Sequence, residues 1–174
     1  MRGSLRPAAL LPGTSNLVWI RTAAASDAGR LTDYFAKLSC AARYNRFMGA
    51  AGDLAKIARD CLRPVGTGDF FILVAEHGEH GQSAVIGEAS YGFDRLEGRG
   101  EFAISVCDSF RRHGLGSALL SALQSRAVSL GHLDLFGEAL KGNEEMKSLA
   151  RKAGFEFTRS SDWRAVRFDK KLAG

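Results

Sequence analysis

The segment EFAISVCDSFRRHGLGS, from Glu101 to Ser117, constrains this chain more than any other stretch. Its alternating apolar residues read as a β-strand, which runs into a turn carrying Arg111, Arg112, Gly114 and Gly116. A long helix with an apolar face, LGSALLSALQSRAVSL, starts at once. A strand, a tight basic turn and a helix N-terminus in that order bring several unpaired backbone N–H groups together. The positive end of the helix dipole lies behind them. Glycines in such a turn remove the Cβ atoms that would hold a diphosphate away from the amides. The segment predicts a cradle for a phosphorylated ligand.

Spacing narrows the ligand. A dinucleotide site takes G-x-G-x-x-G, but the third position here is Leu119, whose branched side chain blocks close helix–strand packing. A nucleoside-triphosphate loop needs G-K-[ST] after a longer glycine run, which is absent. The strand leads instead into R-x-x-G-x-G, formed by Arg111, Gly114 and Gly116. This pattern resembles the pyrophosphate loop of the GNAT superfamily of N-acetyltransferases, which bind acetyl-coenzyme A. Downstream, NEEMKSLARKAGF (Asn143 to Phe155) resembles that family's N-x-x-A-x-x-L-Y-x-x-x-G-F segment. The likeness covers about Leu17 to Leu172. It departs at Ala150, where many members carry a tyrosine taken to protonate the departing thiolate. Either another donor serves, or the thiolate leaves into water.

A finer resemblance lies in LSCAARYNRFMG, where Arg43 to Phe47 read RYNRF. It is similar to the S-x-x-x-R-Y-x-R-F segment of bacterial protein lysine acetyltransferases. The match extends through AEHGEHGQSAVIGEASYGF, GEFAISV and GEALKGNEEM, and that branch likewise has alanine at the place of Ala150. The resemblance implies an α/β (α+β) acyl-CoA N-acyltransferase fold. Its sheet is mixed and mostly antiparallel, with six to seven strands and about four flanking helices. It implies that backbone at Ile104, Ser105 and Val106 pairs with the pantetheine arm like an added strand. Backbone of Arg112, His113, Gly114, Leu115, Gly116 and Ser117 would take the pyrophosphate, and Asn143 would join that cofactor site. Arg111 and Arg112 add charge-assisted contacts or only dress the surface. Glu101 falls at the branch's catalytic glutamate. Arg43, Tyr44 and Arg46 fall on the acceptor side, to hold an acidic protein surface or a carboxylate; the alternative is that Tyr44 and Phe47 are core anchors and the arginines solvated.

Length and composition agree with one domain. The 174 residues, 45% hydrophobic, suffice for a single packed core over 17–174 after a loose tail at 1–16. The net charge of +5 suits an anionic ligand, and coenzyme A carries about four negative charges. Nucleic acid is not expected, because no Lys/Arg run exceeds two residues and no stacking-aromatic motif appears. Cys40, Cys61 and Cys107 are odd in number and form no C-x-x-C, so reduced thiols in a cytoplasmic protein are the plain reading. His77 and His80 in HGEHG read as solvated residues of a hairpin tip, with no metal expected. No signal peptide or membrane-spanning stretch is apparent. A fused regulatory domain, frequent in the resembling branch, has no room here. Monomer and homodimer both stay open.

The order of elements expected is β–α–α–β–β–β–α–β–α–β–β. It opens with a strand at 16–23 and a helix capped by Ser26, whose Leu31, Tyr34, Phe35 and Leu38 share a face. A helix at 53–62 is closed by Pro64, and strands come next at 70–76, 84–94 and 101–107. In the long helix Leu115, Leu119 and Leu123 line up, with Leu120 and Leu130 nearby. A strand at 133–138, a helix at 144–153 and strands at 155–159 and 163–169 complete the chain.

Acetyl transfer to a lysine needs the amine neutral, and at neutral pH that costs about 4 to 5 kcal/mol. A carboxylate near the thioester takes the proton. Glu101 is the favoured base: strand alternation groups it with Ala103, Ser105 and Cys107, small residues that leave room for an acceptor. Glu138 is the rival, and an exposed glutamate without a role is the bland alternative. The expected activity is N-acetylation of protein lysines, with acyl-CoA synthetases as the acceptors the resemblance implies. Two alternatives stand beside it: a small-molecule amine as acceptor, and an acyl-CoA sensor without turnover.

Overall fold

The computed structural model describes residues 7–10, 17–62, 68–78 and 83–173. The strands are β1 (Pro7–Leu10), β2 (Leu17–Thr22), β3 (Phe70–His77), β4 (Ala84–Asp94), β5 (Arg99–Val106), β6 (Asp134–Leu140), β7 (Glu156–Thr158) and β8 (Ala165–Lys171). The helices are α1 (Ala28–Lys37), α2 (Cys40–Phe47), α3 (Leu54–Leu62), α4 (Leu115–Ser129) and α5 (Glu144–Lys152). All eight strands join one sheet in the order β1-β2-β3-β4-β5-β6-β8-β7. Among the described residues, only β5 and β6 run parallel. This is the expected mixed, mostly antiparallel α/β fold.

Helices cover both faces of the sheet's first half, and β3 shows why its sequence is a continuous apolar run. Phe71, Leu73 and Ala75 pack with Leu115, Leu119 and Leu123 of α4 on one face. Ile72 and Val74 pack with Leu31, Tyr34 and Phe35 of α1 on the other. A strand buried on both sides has no polar alternation to show. On the second half, Leu135, Ala139 and Phe168 join the α4 face. Strand alternation therefore turns Phe136, Glu138, Arg167 and Asp169 to the opposite face, the one that Glu101 shares.

Several local expectations change. The eighth strand, β1, lies within the stretch read as a loose tail; the other residues of 1–16 lie outside the described ones. The fifth helix is α2, which holds RYNRF. Ser26 does not cap α1, because it sits inside a 3₁₀ turn, Ala25–Asp27. There the Asp27 carboxylate accepts the Ala24 N–H at 2.8 Å and pairs with Arg21 at 2.7 Å. Leu130 ends α4 at 38% exposure rather than joining the core. The last strand begins at Ala165, so Trp163 stands in a loop. Pro64 and His80 lie outside the described residues. No helix among the described residues is long and apolar enough to cross a membrane.

Candidate functional site

The sheet opens between its two parallel strands. β5 and β6 pair only from Gly100 to Phe102 against Leu135 to Gly137, and beyond that they part. Cys107 N–H donates to Ile86 O at 2.8 Å, so alternation turns the peptide groups of Cys107, Ser105 and Ala103 toward β4. Those of Ile104 and Val106 face the gap. Ser105 was expected to offer backbone there, but its peptide group is turned to β4. Its side chain is buried and donates to Glu88 Oε1 at 2.6 Å.

The basic turn closes one end of the gap. Arg112 and Gly114 both have left-handed backbone, with φ of 63° and 84°. Gly114 is the N-cap of α4, and no side chain caps that helix. The first intrahelical bond runs from Ala118 N–H to Gly114 O at 3.0 Å. The amides of Leu115, Gly116 and Ser117 thus lack helical acceptors, as the first turn of any helix requires. A Cβ on Gly116 would meet only Leu149, at 3.5 Å, so the protein's own packing does not demand glycine there. Arg111 is held between two carboxylates, Asp108 and Glu145, each at 3.2 Å. Asn143 Oδ1 accepts Met146 N–H at 3.1 Å, capping α5 at the wall of the same cleft. His113 is exposed and the Leu115 side chain is in the core; neither lines the cleft.

From this turn a cleft of about 940 Å³ runs past Ile104 and Val106 to Glu101. A second, of about 900 Å³, lies along the β4–β5 hairpin. The two share Arg46, Glu101, Phe102 and Ala103. Glu101 is exposed as a residue, yet the surrounding walls desolvate its carboxyl and raise its pKa above the ordinary glutamate value. The nearby Glu138 carboxylate pushes the same way, while Arg167 and Arg46 oppose both. Glu138 itself accepts a hydrogen bond from Ser160 Oγ at 2.9 Å.

The acceptor-side residues occupy different environments. Arg46 reaches both clefts, but its guanidinium is committed: Nε donates to Glu88 Oε1 at 2.6 Å and Nη2 to Ser90 Oγ at 3.0 Å. Its side chain is 9% exposed and that of Glu88 1%. The Tyr34 hydroxyl lies 2.9 Å from Ser105 Oγ and extends the network to α1. Tyr44 is 46% exposed and is no core anchor, whereas the Phe47 ring packs on Phe35 at 5.1 Å. Arg43 Nη1 donates to Phe35 O at 3.4 Å. Ala150 is fully buried among apolar side chains, so no proton donor stands at that position.

Two residues escaped the sequence reading. Glu88 is a single carboxylate in the apolar strand AVIGEASYGF, a signal that was available. Asp108 accepts from Ser39 N–H at 3.0 Å and Ser39 Oγ at 2.9 Å, so it ties the start of α2 to the basic turn. Nothing in the spacing between Ser39 and Asp108 announces that latch. Among the described residues no cluster of three or more His, Cys, Asp or Glu is placed to hold a metal ion.

The sequence model of the acetyltransferase (GNAT) family matches residues 38–155. An acetyltransferase of Pseudomonas aeruginosa is 26% identical over 145 residues, 83% of this chain and 78% of that protein. The crystal structure of the GNAT domain of S. lividans PAT superposes with a TM-score of 0.82 at 23% identity, over 97% of this chain and 96% of that one. The structure of yncA from Salmonella typhimurium with its cofactor acetyl-CoA gives 0.68 at 23% identity, over 90% and 95%. A phosphinothricin acetyltransferase of Sinorhizobium meliloti in complex with acetyl-CoA gives 0.70 at 22%, over 90% and 89%.

Proposed function

The chain belongs to the acetyltransferase (GNAT) family, and from that premise we propose that it transfers the acetyl group of acetyl-CoA to lysine side chains of proteins, with Glu101 as general base. The observation that carries this is the meeting of two clefts at one carboxyl whose pKa burial has raised. One cleft leads from an amide cradle, the other from open surface.

The residues fit a coenzyme A thioester. The amides of Leu115, Gly116 and Ser117 offer donors to a diphosphate, with Arg111 and Arg112 beside them. The peptide groups of Ile104 and Val106 offer strand-like pairing to an amide-bearing arm and a donor to an acyl oxygen. Acetyl-CoA supplies the acyl group in activated form. Glu101 takes one proton from the acceptor ammonium, the amine nitrogen forms the new N–C bond as the C–S bond breaks, and the second proton lost from that nitrogen passes to solvent. With Ala150 in the core, no donor stands at that position, and the thiolate takes its proton from another group or from water.

The test is thiol release from labelled acetyl-CoA with lysine-containing proteins, followed by mass spectrometry of the acetylated sites. Labelled lysines support the reading. Release with small amines alone would move the acceptor to that class, and release with none would overturn acetyl transfer. The cradle is tested apart from the chemistry. Gly114→Val places a β-branched residue at φ 84°, a conformation that costs L-residues about 1 to 2 kcal/mol. No atom lies within 4 Å of a Cβ there, so the domain is expected to fold. Relief of that strain turns the amides of Leu115, Gly116 and Ser117 out of the cradle, and regaining the geometry on binding should weaken coenzyme A affinity in calorimetry by up to about tenfold; unchanged affinity would remove the cradle.

A further inference from the structure

Trp163 is 80% exposed, although the loop that carries it is firmly tied. Ser160 Oγ donates to Glu138 Oε1 at 2.9 Å and accepts Asp162 N–H at 3.0 Å. Asp162 accepts the Arg164 backbone N–H at 2.9 Å and its guanidinium at 2.7 Å. Lys141 N–H donates to Arg164 O at 2.8 Å. A loop already fixed needs no backbone ordering on contact, which suits an exposed indole on it to anchor an interface.

Cations outnumber the anions exposed around it. The Tyr44 phenol lies beside the Arg164 guanidinium, so α2 and this loop form one continuous surface. Arg159, beside Ser160, and Lys141, whose N–H bonds Arg164 O, are both exposed at this loop. The one anion among these groups, Asp162, is neutralised by Arg164. The surface also borders the reaction site, because Ser160 binds the Glu138 carboxylate that lines the cleft beside Glu101.

We propose that this surface docks a protein segment bearing acidic residues next to the target lysine, with Trp163 as its anchor. The proposal rests on the acetyl-transfer reading above and names the kind of acceptor that the site selects. Two exposed aromatics flanked by cations, at the border of the cleft, match an acidic polypeptide that must deliver its lysine to Glu101.

The experiment compares three acceptors at saturating acetyl-CoA: a lysine peptide flanked by Asp and Glu, the same peptide flanked by Ser, and a blocked single lysine. For the wild-type protein, kcat/KM is expected to be about tenfold or more higher for the acid-flanked peptide than for the Ser-flanked one. Trp163→Ala should remove about tenfold from the acid-flanked peptide alone, through KM, and leave the blocked lysine unchanged. Arg159→Glu should shrink the flank preference. Equal turnover of the two peptides by the wild type would overturn the docking proposal. So would a Trp163→Ala loss shared equally by the blocked lysine, or a solution dimer that the substitution dissociates. Binding of nucleic acid or anionic vesicles lost on Trp163→Ala, without flank preference, would assign the surface to those partners instead. Absence of thiol release with every acceptor would remove the acetyl-transfer reading first, and the docking surface with it.

Discussion

Glu101→Gln should lower kcat/KM for amine acetylation by about 100- to 1,000-fold, within the range general bases supply, and leave coenzyme A binding intact. Glutamine keeps the shape of the side chain and cannot accept the proton. The pH profile makes the result specific. The Glu101 pKa is raised by burial first and by Glu138 second, so the base form is lost as pH falls through a value above the ordinary one. The wild-type rate should therefore rise through that raised pKa, and the Gln variant should lack this limb. Glu138→Gln removes a like charge, so the limb should move to lower pH with most of the rate retained. If Glu138→Gln abolishes turnover and Glu101→Gln does not, the base is Glu138. Stability should move in the opposite sense to activity. A carboxyl whose folded pKa is raised binds its proton more tightly folded than unfolded, so its ionised form weakens the fold. Glu101→Gln should then raise Tm at neutral pH, and the gain should vanish below about pH 4, under the ordinary glutamate pKa.

The largest loss of stability is expected at Glu88. Its carboxylate is 1% exposed, binds Arg46 through two contacts at 2.6 and 3.2 Å, and accepts Ser105 Oγ. Glu88→Ala leaves a buried guanidinium without its counter-charge and should cost about 3 to 5 kcal/mol. For a chain of this length that corresponds to a Tm lower by about 6 to 20 °C. Replacing both partners by Leu or Met should cost less than Glu88→Ala alone, because no charge is then stranded. A Glu88→Ala loss below about 1 kcal/mol, the range of solvated pairs, would show that the pair is hydrated in solution. The substitution should also raise KM for the acceptor, since Arg46 fixes α2 against the cleft.

The segment from Glu101 to Ser117 was legible because each part obeys a local rule. Period-two apolarity marks the strand, glycine marks the left-handed cap at Gly114, and period-3.6 leucines mark α4. What escaped depends on tertiary partners. The helix α2 has eight residues, and its polar sequence CAARYNRF shows only Ala42 buried; Ser39 before it was the cap to notice, since it accepts Ala42 N–H at 3.2 Å. Arg46 read as a residue free to meet an acceptor, because its buried partner lies 42 positions downstream. Ser105 read as small and open for the same reason. The strand β1 pairs only along an edge, and four residues beginning with proline give little local signal. Of the candidate site, the turn and Glu101 were visible, and the network that holds them was not.

A ligand gripped by peptide groups places its demands on where the chain goes, not on which letters spell it. In the forked pair of strands, the groups offered by Ile104 and Val106 belong to the main chain. Most residues at those positions would present them equally well. Natural drift can therefore rewrite much of the text while the path of the chain survives, and a fold shared at a TM-score of 0.82 and 23% identity shows how far apart the two can move. Discrimination among acceptors must then be inscribed where side chains meet the partner, in the loops around the mouth.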